Sequence, residues 1–249
     1  YNKKKYKVIK ILMNTTLSII VCCRNEKRTI EKTLDKINNL KLVPPWKKEI
    51  IIVDNCSTDG TREILSKIKR KDTRIIFQKK NMGKGHSVKM GIKFSNGHYV
   101  IPQDGDLEYD PSDINNILKS ALENKYNFVI GTRFQRGKRF HKYWINEFGA
   151  NILTYIFNIL YKTNYTDIAS CYKLMKSDIL KDFNLKCNGF DLDYELCAKF
   201  SKIKIRAGEK KIKYSSRSFK EGRKTLFSKN NIYVDGLKGL FVIFKEKFY

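Results

Sequence analysis

Between positions 103 and 111 the chain reads Gln103-Asp104-Gly105-Asp106-Leu107-Glu108-Tyr109-Asp110-Pro111. Asp104 and Asp106 stand one residue apart, Glu108 follows two further on, and the whole run comes directly after an apolar stretch at 99–101 with strand character. Carboxylates this close repel one another unless a cation neutralises them. Oxygen donors suit a hard divalent ion such as Mg²⁺ or Mn²⁺. A metal held there can grip a diphosphate, so the cluster points to nucleotide-sugar chemistry. The competing role is to cap the helix that starts near Pro111, but one acid would suffice for that.

Such a cluster works only if strand ends hold it in place. Residues 17–23 form a near-continuous apolar run, as expected of a strand buried on both faces. Residues 29–40 carry Ile30, Leu34 and Ile37 at helical spacing, and 49–53 is a second buried strand that stops at Asp54. Asp59 is placed to cap a helix bearing Ile64, Leu65 and Ile68. Strand, helix and strand follow at 74–78, 84–94 and 98–102. This alternation predicts a mostly parallel α/β sheet flanked by helices, with right-handed crossovers. Ligands of such sheets bind beyond the carboxyl ends of the strands, where Asp54 and Asp104 both fall. Downstream, the pattern predicts helices at 112–123 and 143–161, an acidic-apolar segment at 191–200, and strands at 127–131, 203–205 and 211–214. No linker or repeat divides the chain. The expected organisation is a basic lead-in at 1–14, one domain at 15–227 and a C-terminal amphipathic extension at 228–249.

The formal net charge is +26, from 51 Lys+Arg against 25 Asp+Glu. That surplus implies an anionic partner, although the chain's richness in Lys, Asn and Ile is also what a biased genome produces. Cys22, Cys23, Cys56, Cys171, Cys187 and Cys197 form no C-x-x-C pair and lack a His at zinc spacing, so free thiols in a reducing compartment are expected. No run approaches the ~18 apolar residues of a membrane-spanning helix, and no signal peptide is evident. The chain begins at Tyr1 rather than Met, which leaves room for residues upstream. At 232–248, Tyr233, Leu237, Leu240, Phe241, Phe244 and Phe248 share a helical stripe, with Lys238, Lys245 and Lys247 among them. An interfacial helix has this pattern, and so does a helix packed on its own domain; Gly236 and Gly239 weaken either. The expected location is cytoplasmic, peripheral at the cytoplasmic face of a membrane.

Four segments in order resemble the inverting family 2 glycosyltransferases of GT-A (Rossmann-like) fold. Val21-Cys22-Cys23-Arg24-Asn25-Glu26 is similar to the family's P-x-x-N-E first-strand pattern, with Cys22 in place of Pro. Val53-Asp54-Asn55-Cys56-Ser57-Thr58-Asp59-Gly60-Thr61 resembles V-D-(D/N)-x-S-x-D-G-T. Asn81-Met82-Gly83-Lys84-Gly85 matches N-x-G-K-G, and Asp104-Gly105-Asp106 matches D-x-D. Gly131-Thr132-Arg133, Gly149-Ala150-Asn151, Thr166-Asp167, Ser170-Cys171-Tyr172-Lys173, Gly189-Phe190, Tyr214-x-x-Arg217 and Glu221-Gly222-Arg223-Lys224 narrow the resemblance to dolichol-phosphate and polyprenyl-phosphate sugar transferases. The Q-x-x-R-W motif of processive synthases is absent.

The resemblance implies transfer of a hexose, mannose or glucose, from a nucleotide diphosphate sugar of GDP-mannose or UDP-glucose type to a polyprenyl phosphate, with inversion and with Mg²⁺ or Mn²⁺ as cofactor. Asp106 is then the principal metal ligand and Glu108 a second. Asp104 touches the metal through water or binds the ribose. Cys22, Arg24, Glu26, Asp54 and Lys84 bind the nucleotide, with Asp54 on the base and Lys84 near a phosphate that Gly83 and Gly85 let approach. A phosphate acceptor needs cations rather than a base, because its second pKa of roughly 6 leaves it largely a dianion. Arg133 and Arg217 are the candidates, and Arg136, Arg139 or Lys142 are candidates for a further phosphate contact.

Two other readings compete. A hydroxyl acceptor would need a general base; Asp167 is the candidate, although a loop-fixing role suits it better. A basic nucleic-acid-binding module would show a recognition helix, zinc finger or aromatic RNA motif, and none is present. His86, His98 and His141 are expected to be structural or on the surface.

Overall fold

The computed structural model describes residues 15–134, 144–203, 205–217 and 232–249. Strand β1 (Thr16–Cys23) leads to helix α1 (Ile30–Asn39), β2 (Lys47–Asp54), α2 (Thr61–Ser66), β3 (Thr73–Phe77), α3 (Lys84–Lys93) and β4 (Tyr99–Asp104). Then follow α4 (Asp113–Asn124), β5 (Phe128–Thr132), α5 (Trp144–Tyr161), β6 (Lys173–Lys176), α6 (Ser177–Lys181), α7 (Leu192–Lys202), β7 (Ala207–Lys211) and α8 (Ile232–Phe248). The seven strands form one sheet in the order β3-β2-β1-β4-β6-β5-β7. β1 pairs in parallel with β2 and β4, β2 with β3, and β5 with β7. β6 runs antiparallel to both of its neighbours.

Apolar alternation sets the two faces. Leu17, Ile19, Val21 and Cys23 of β1 pack with Ile30, Leu34, Ile37 and Ile117 of α1 and α4. Ile20 and Cys22 point the other way, into a core shared with Val88 and Ile92 of α3 and with side chains of α5, α7 and α8. Helix α1 buries Ile30, Thr33, Leu34 and Ile37, a 3–4 spacing that keeps one stripe against the sheet.

The chain departs from its sequence pattern at the far edge of the sheet. The expected strands at 203–205 and 211–214 are replaced by a single β7 at Ala207–Lys211, and β6 has no counterpart among the expected strands. β6 reads Lys-Leu-Met-Lys, which has no apolar run to announce it. Lys173 is nonetheless fully buried, because its ammonium lies 3.0 Å from Asp193.

Helix α8 is part of the domain body. Val242 and Ile243 are buried against α5 and α7, and the Tyr161 hydroxyl donates to the Ile243 carbonyl at 2.9 Å. The helix is continuous through both glycines. Gly239 has a packing reason, since a Cβ there would lie 2.5 Å from the Tyr194 ring. The outward side of the stripe stays bare: Leu237, Phe241 and Phe248 are each about two-thirds exposed, at 68%, 66% and 66%. Leu240, expected on that stripe, turns inward. Among the described residues no helix is long and apolar enough to cross a membrane, and the six cysteines are free thiols.

Gly239→Val should therefore lift α8 from Tyr194 and cost about 1–3 kcal/mol, the usual range for overpacking. Urea unfolding measures this, and a loss under about 0.5 kcal/mol would mean that α8 does not rest on that ring.

Candidate active site

The parallel register brings the motif loops together at one end of the sheet. Cys22 pairs with Asp104 across β1 and β4, and the Gly105 amide donates to the Cys22 carbonyl at 3.0 Å. The loops after β1 and β2 are stitched side to side. The Asn25 amide donates to Ser57 Oγ, the Glu26 amide to Thr61 Oγ1, and the Lys27 amide to Asp59 Oδ2 at 3.0 Å. Asp59 also accepts from the Thr61 amide, but the N-cap of α2 is Gly60, with no side-chain cap bond, so Asp59 fixes the turn before the helix in place of the expected cap. Above these loops opens a cleft of about 2040 Å³.

The acidic run forms the floor. Leu107 takes φ +64, an unusual conformation for a leucine that costs about 1 kcal/mol. It folds the chain back so that Asp106 Oδ1 accepts the Glu108 amide at 3.0 Å. Arg217 then lies across the carboxylates. Its Nη2 donates to Asp106 Oδ2 at 2.8 Å, its Nη1 sits 3.2 Å from both Glu26 oxygens, and its Nε lies 3.7 Å from Glu108 Oε1. Burial, then the nearby Asp104, raise the Asp106 pKa well above the usual carboxylate range despite Arg217. Burial likewise raises Glu26 against the pull of Arg217.

The sequence places Asp104, Asp106 and Glu108 in one ligand set. In the structure the group that shares a cation is Glu26, Asp106 and Glu108, while Asp104 Oδ2 is held by Lys84 Nζ at 2.8 Å. Among the described residues no three such side chains form a finished metal cage. The donors that converge are all carboxylate oxygens already wrapped around a positive charge, which fits a hard divalent ion.

Other expected site residues sit differently. Asp54 is fully buried beneath the cleft and does not line it. Its carboxylate takes Arg62 Nε at 2.6 Å and the Ser57 amide at 3.2 Å. Gly83 and Gly85 make room for neighbouring backbone. A Cβ on Gly83, whose φ is +93, would meet the Asn188 carbonyl oxygen at 2.2 Å, and one on Gly85 would meet that of Gly189 at 2.6 Å. Lys84 does face the cleft. Burial opposes its charge, but Asp104 outweighs burial and holds its pKa well above the ordinary lysine value. Arg24 is exposed on the cleft rim, and Cys22 lines the cleft with a thiol that burial keeps protonated.

Arg133 is held rather than free. Its Nε and Nη2 each lie 2.7 Å from an Asp167 oxygen, its backbone amide donates to the same carboxylate at 3.0 Å, and its guanidinium stacks 5.1 Å over the Tyr214 ring. With both oxygens so occupied at 1% exposure, Asp167 is removed from any role as a general base. Arg136, Arg139 and Lys142 lie outside the described residues, as do residues 1–14 and the Glu221–Lys224 motif.

Residues 18–183 match the family model described as Glycosyl transferase family 2. The chain belongs to that family. It is a glycosyltransferase, and its mostly parallel sheet is the GT-A fold. An uncharacterized protein of Methanocaldococcus jannaschii, MJ0544, is 26% identical over 74% of this chain and 81% of its own length. Glycosyltransferase AglJ of Haloferax volcanii is 27% identical over 63% of this chain. Dodecaprenyl-phosphate galacturonate synthase of Rhizobium johnstonii is 24% identical over 68% of it. The match spans half the length of each of the latter two. In fold the chain resembles glucosyl-3-phosphoglycerate synthase from Mycobacterium tuberculosis, solved with UDP, at TM-score 0.68 and 18% identity over 93% of this chain and 79% of that one. The same enzyme solved with Mn²⁺, UDP and phosphoglyceric acid gives TM-score 0.65, with 18% identity over 94% of this chain and 78% of that one.

Sequence reasoning missed three residues that the glycosyltransferase brings to its cleft. Asp193 lines it, held by buried Lys173. Phe190 lies 5.3 Å beneath the Lys84 ammonium. Tyr214 donates to Glu108 Oε2 at 2.9 Å while carrying Arg133 on its ring. Only its tertiary contact reveals Asp193, whereas Phe190 and Tyr214 already stand in the Gly189-Phe190 and Tyr214-x-x-Arg217 motifs.

The Arg133–Asp167 pair yields a stability prediction. Burial works against the Asp167 charge, but Arg133 more than reverses it and holds the carboxyl below its ordinary value. The stabilisation is fully present above the unfolded pKa of about 3.9 and is lost as pH falls through the lower folded value. Asp167→Asn should cost about 3–5 kcal/mol at neutral pH by stranding a buried guanidinium. In urea unfolding at a series of pH values, the gap to wild type should narrow below about pH 4; a gap that is small and flat with pH would refute the pairing.

Proposed function

We propose that the protein transfers a hexose, mannose or glucose, from a nucleoside diphosphate sugar to a polyprenyl phosphate, with inversion at the anomeric carbon. The observation that carries this reading is the mixed lining of the cleft. The loops after the strands bring Glu26, Asp104, Asp106 and Glu108 with Lys84 and Arg217, and α5 and α8 bring Ile152, Leu153, Leu237 and Leu240. A charged donor suits the first set, and the isoprenoid of an acceptor suits the second. The relative from Rhizobium johnstonii, whose name is that of a dodecaprenyl-phosphate sugar synthase, agrees with such an acceptor.

Asp106 and Glu108, assisted by Asp104, would hold Mg²⁺ or Mn²⁺. When bound, that ion supplies Lewis-acid stabilisation of the departing diphosphate. The chain's own residues do the rest. Lys84 adds positive charge at the nucleotide phosphates, and Arg24, Glu26 and the Cys22 backbone shape the first loop. Arg217 offers a guanidinium to the acceptor phosphate. Arg133, balanced by Asp167, keeps a fixed donor plane on the same wall. An acceptor that is already a dianion needs no base. With a hydroxyl acceptor instead, Asp193 is the cleft carboxylate placed to serve, since Asp167 is committed to Arg133.

The same reading places the protein peripherally at the cytoplasmic face of an anionic membrane. Phe148, Ile152, Tyr155 and Ile159 of α5 are exposed at helical spacing beside the bare stripe of α8. The net charge of +26 would add about 1 kcal/mol for each Lys or Arg near such a surface.

Incubation with a short polyprenyl phosphate, Mg²⁺ or Mn²⁺ and labelled GDP-mannose or UDP-glucose should move label into the organic phase. Asp106→Ala should lower that transfer at least about 100-fold without changing the melting temperature by more than a few degrees. Transfer that persists in this variant would exclude Asp106 from the chemistry. Leu237→Glu/Phe241→Glu should weaken cosedimentation with phosphatidylserine vesicles by about tenfold or more, given ~1.5–3 kcal/mol per buried apolar side chain. Equal binding would take α8 out of the membrane contact.

A further inference from the structure

We propose that Arg217 is the built-in counter-ion of the carboxylate cluster, and that its guanidinium and a divalent cation exclude each other from Asp106 and Glu108. This rests on the reading of the cleft as a metal-assisted sugar transferase, and it adds how the site passes between its states.

The geometry supports it at three levels. The oxygens that would ligate a metal are the ones Arg217 engages: Asp106 Oδ2 at 2.8 Å and Glu108 Oε1 at 3.7 Å from guanidinium nitrogens. A divalent ion binds oxygen at about 2.0–2.6 Å, so both cations on one oxygen would stand only a few ångströms apart and repel. The segment that carries Arg217 is itself fastened to the acidic loop. The Ser215 amide donates to the Glu108 carbonyl at 2.9 Å, the Arg217 amide to Glu108 Oε1 at 2.8 Å, and the Tyr214 hydroxyl to Glu108 Oε2 at 2.9 Å. Tyr214 also bridges Tyr109 backbone to backbone. Glu108 is thus the clasp of the strap at 212–217, with both carboxylate oxygens taken by it. A metal that claims Glu108 must unfasten those bonds, and one that claims Asp106 displaces Nη2. Finally, Glu26 stays behind as a partner for a displaced guanidinium, because its 3.2 Å contacts use Nη1 and not the nitrogen on Asp106.

Arrival of metal and donor would therefore release part of the Arg217 fork toward the cleft, where its N–H donors can take an acceptor phosphate. Without metal, the same fork covers the cluster. The arrangement favours loading of the donor before the acceptor is gripped.

The test measures Mn²⁺ binding by the loss of its free-ion EPR signal, with no nucleotide present. Wild type is compared with Arg217→Gln, Arg217→Lys and Asp106→Asn. Removal of a competing charge predicts Mn²⁺ binding about tenfold tighter in Arg217→Gln, an intermediate value in Arg217→Lys and strong loss in Asp106→Asn. Thermal melts add a second readout: Arg217→Gln should melt below wild type in EDTA, and saturating Mn²⁺ should close that gap. Equal or weaker Mn²⁺ binding in Arg217→Gln, with Asp106→Asn still losing it, would overturn the competition and leave the metal reading standing. A melting gap that Mn²⁺ does not close would overturn it too, since a purely structural arginine behaves that way. Absence of Mn²⁺ binding in every protein, Arg217→Gln included, would overturn the metal reading and this proposal with it.

Discussion

Buried negative charge is the constraint around which this glycosyltransferase is arranged. Most of the carboxylates drawn into the region of the cleft are matched to a cation: Asp54 to Arg62, Asp104 to Lys84, Asp167 to Arg133, and Asp193 to Lys173. Glu26, Asp106 and Glu108 share Arg217. Desolvating a carboxylate without a partner costs several kcal/mol, so these pairs decide which loops can lie side by side. They also divide the acids by use. Asp54 and Asp167 hand both their charge and their exposure to a fixed arginine and become structure. The cluster on Arg217 keeps three acids on a single positive charge, which leaves it short of cation.

The sheet supplies the place where that shortage is useful. Because β1, β2, β3 and β4 are parallel and in register, their carboxyl ends fall at one level, and the loops that follow can be tied to one another. The ties run from backbone amides of one loop to side chains of the next, as from Asn25, Glu26 and Lys27 to Ser57, Thr61 and Asp59. Each bond satisfies a donor that the end of a strand leaves open. The motif residues Ser57, Asp59 and Thr61 thus each have a place in the loop architecture.

That division sets what could be read from the amino-acid order. The parallel half of the fold was legible because strands buried on both faces write themselves as apolar runs, and so was Asp106, because close carboxylates are conspicuous. Partners were not legible. Arg217 is 111 residues from Asp106 and Arg133 is 34 from Asp167, and no local rule pairs them. Strand β6 was hidden for the same reason, since a lysine that neutralises Asp193 from inside the protein looks in sequence like a lysine in water. The glycines of the Gly83–Gly85 loop show the opposite error. Their type was read correctly as permitting close approach, but what approaches is the backbone at 188–189, which an isolated motif cannot disclose.

The two sets of residues that line the cleft connect these observations to its chemistry. At the strand ends, Lys84 and Arg217 are already engaged by carboxylates of the fold, so an anion that meets either of them competes with Asp104 or with the acidic cluster. At those two cations, binding means the exchange of one partner for another. At the helical end the opposite holds: α5 and α8 pack on each other and on α7 and leave Tyr155, Ile159, Leu237 and Phe241 exposed, an apolar surface that the described residues do not cover. Hydrophobic surface is non-directional and accepts a chain without reading it, whereas ion-pair exchange requires charges at defined positions.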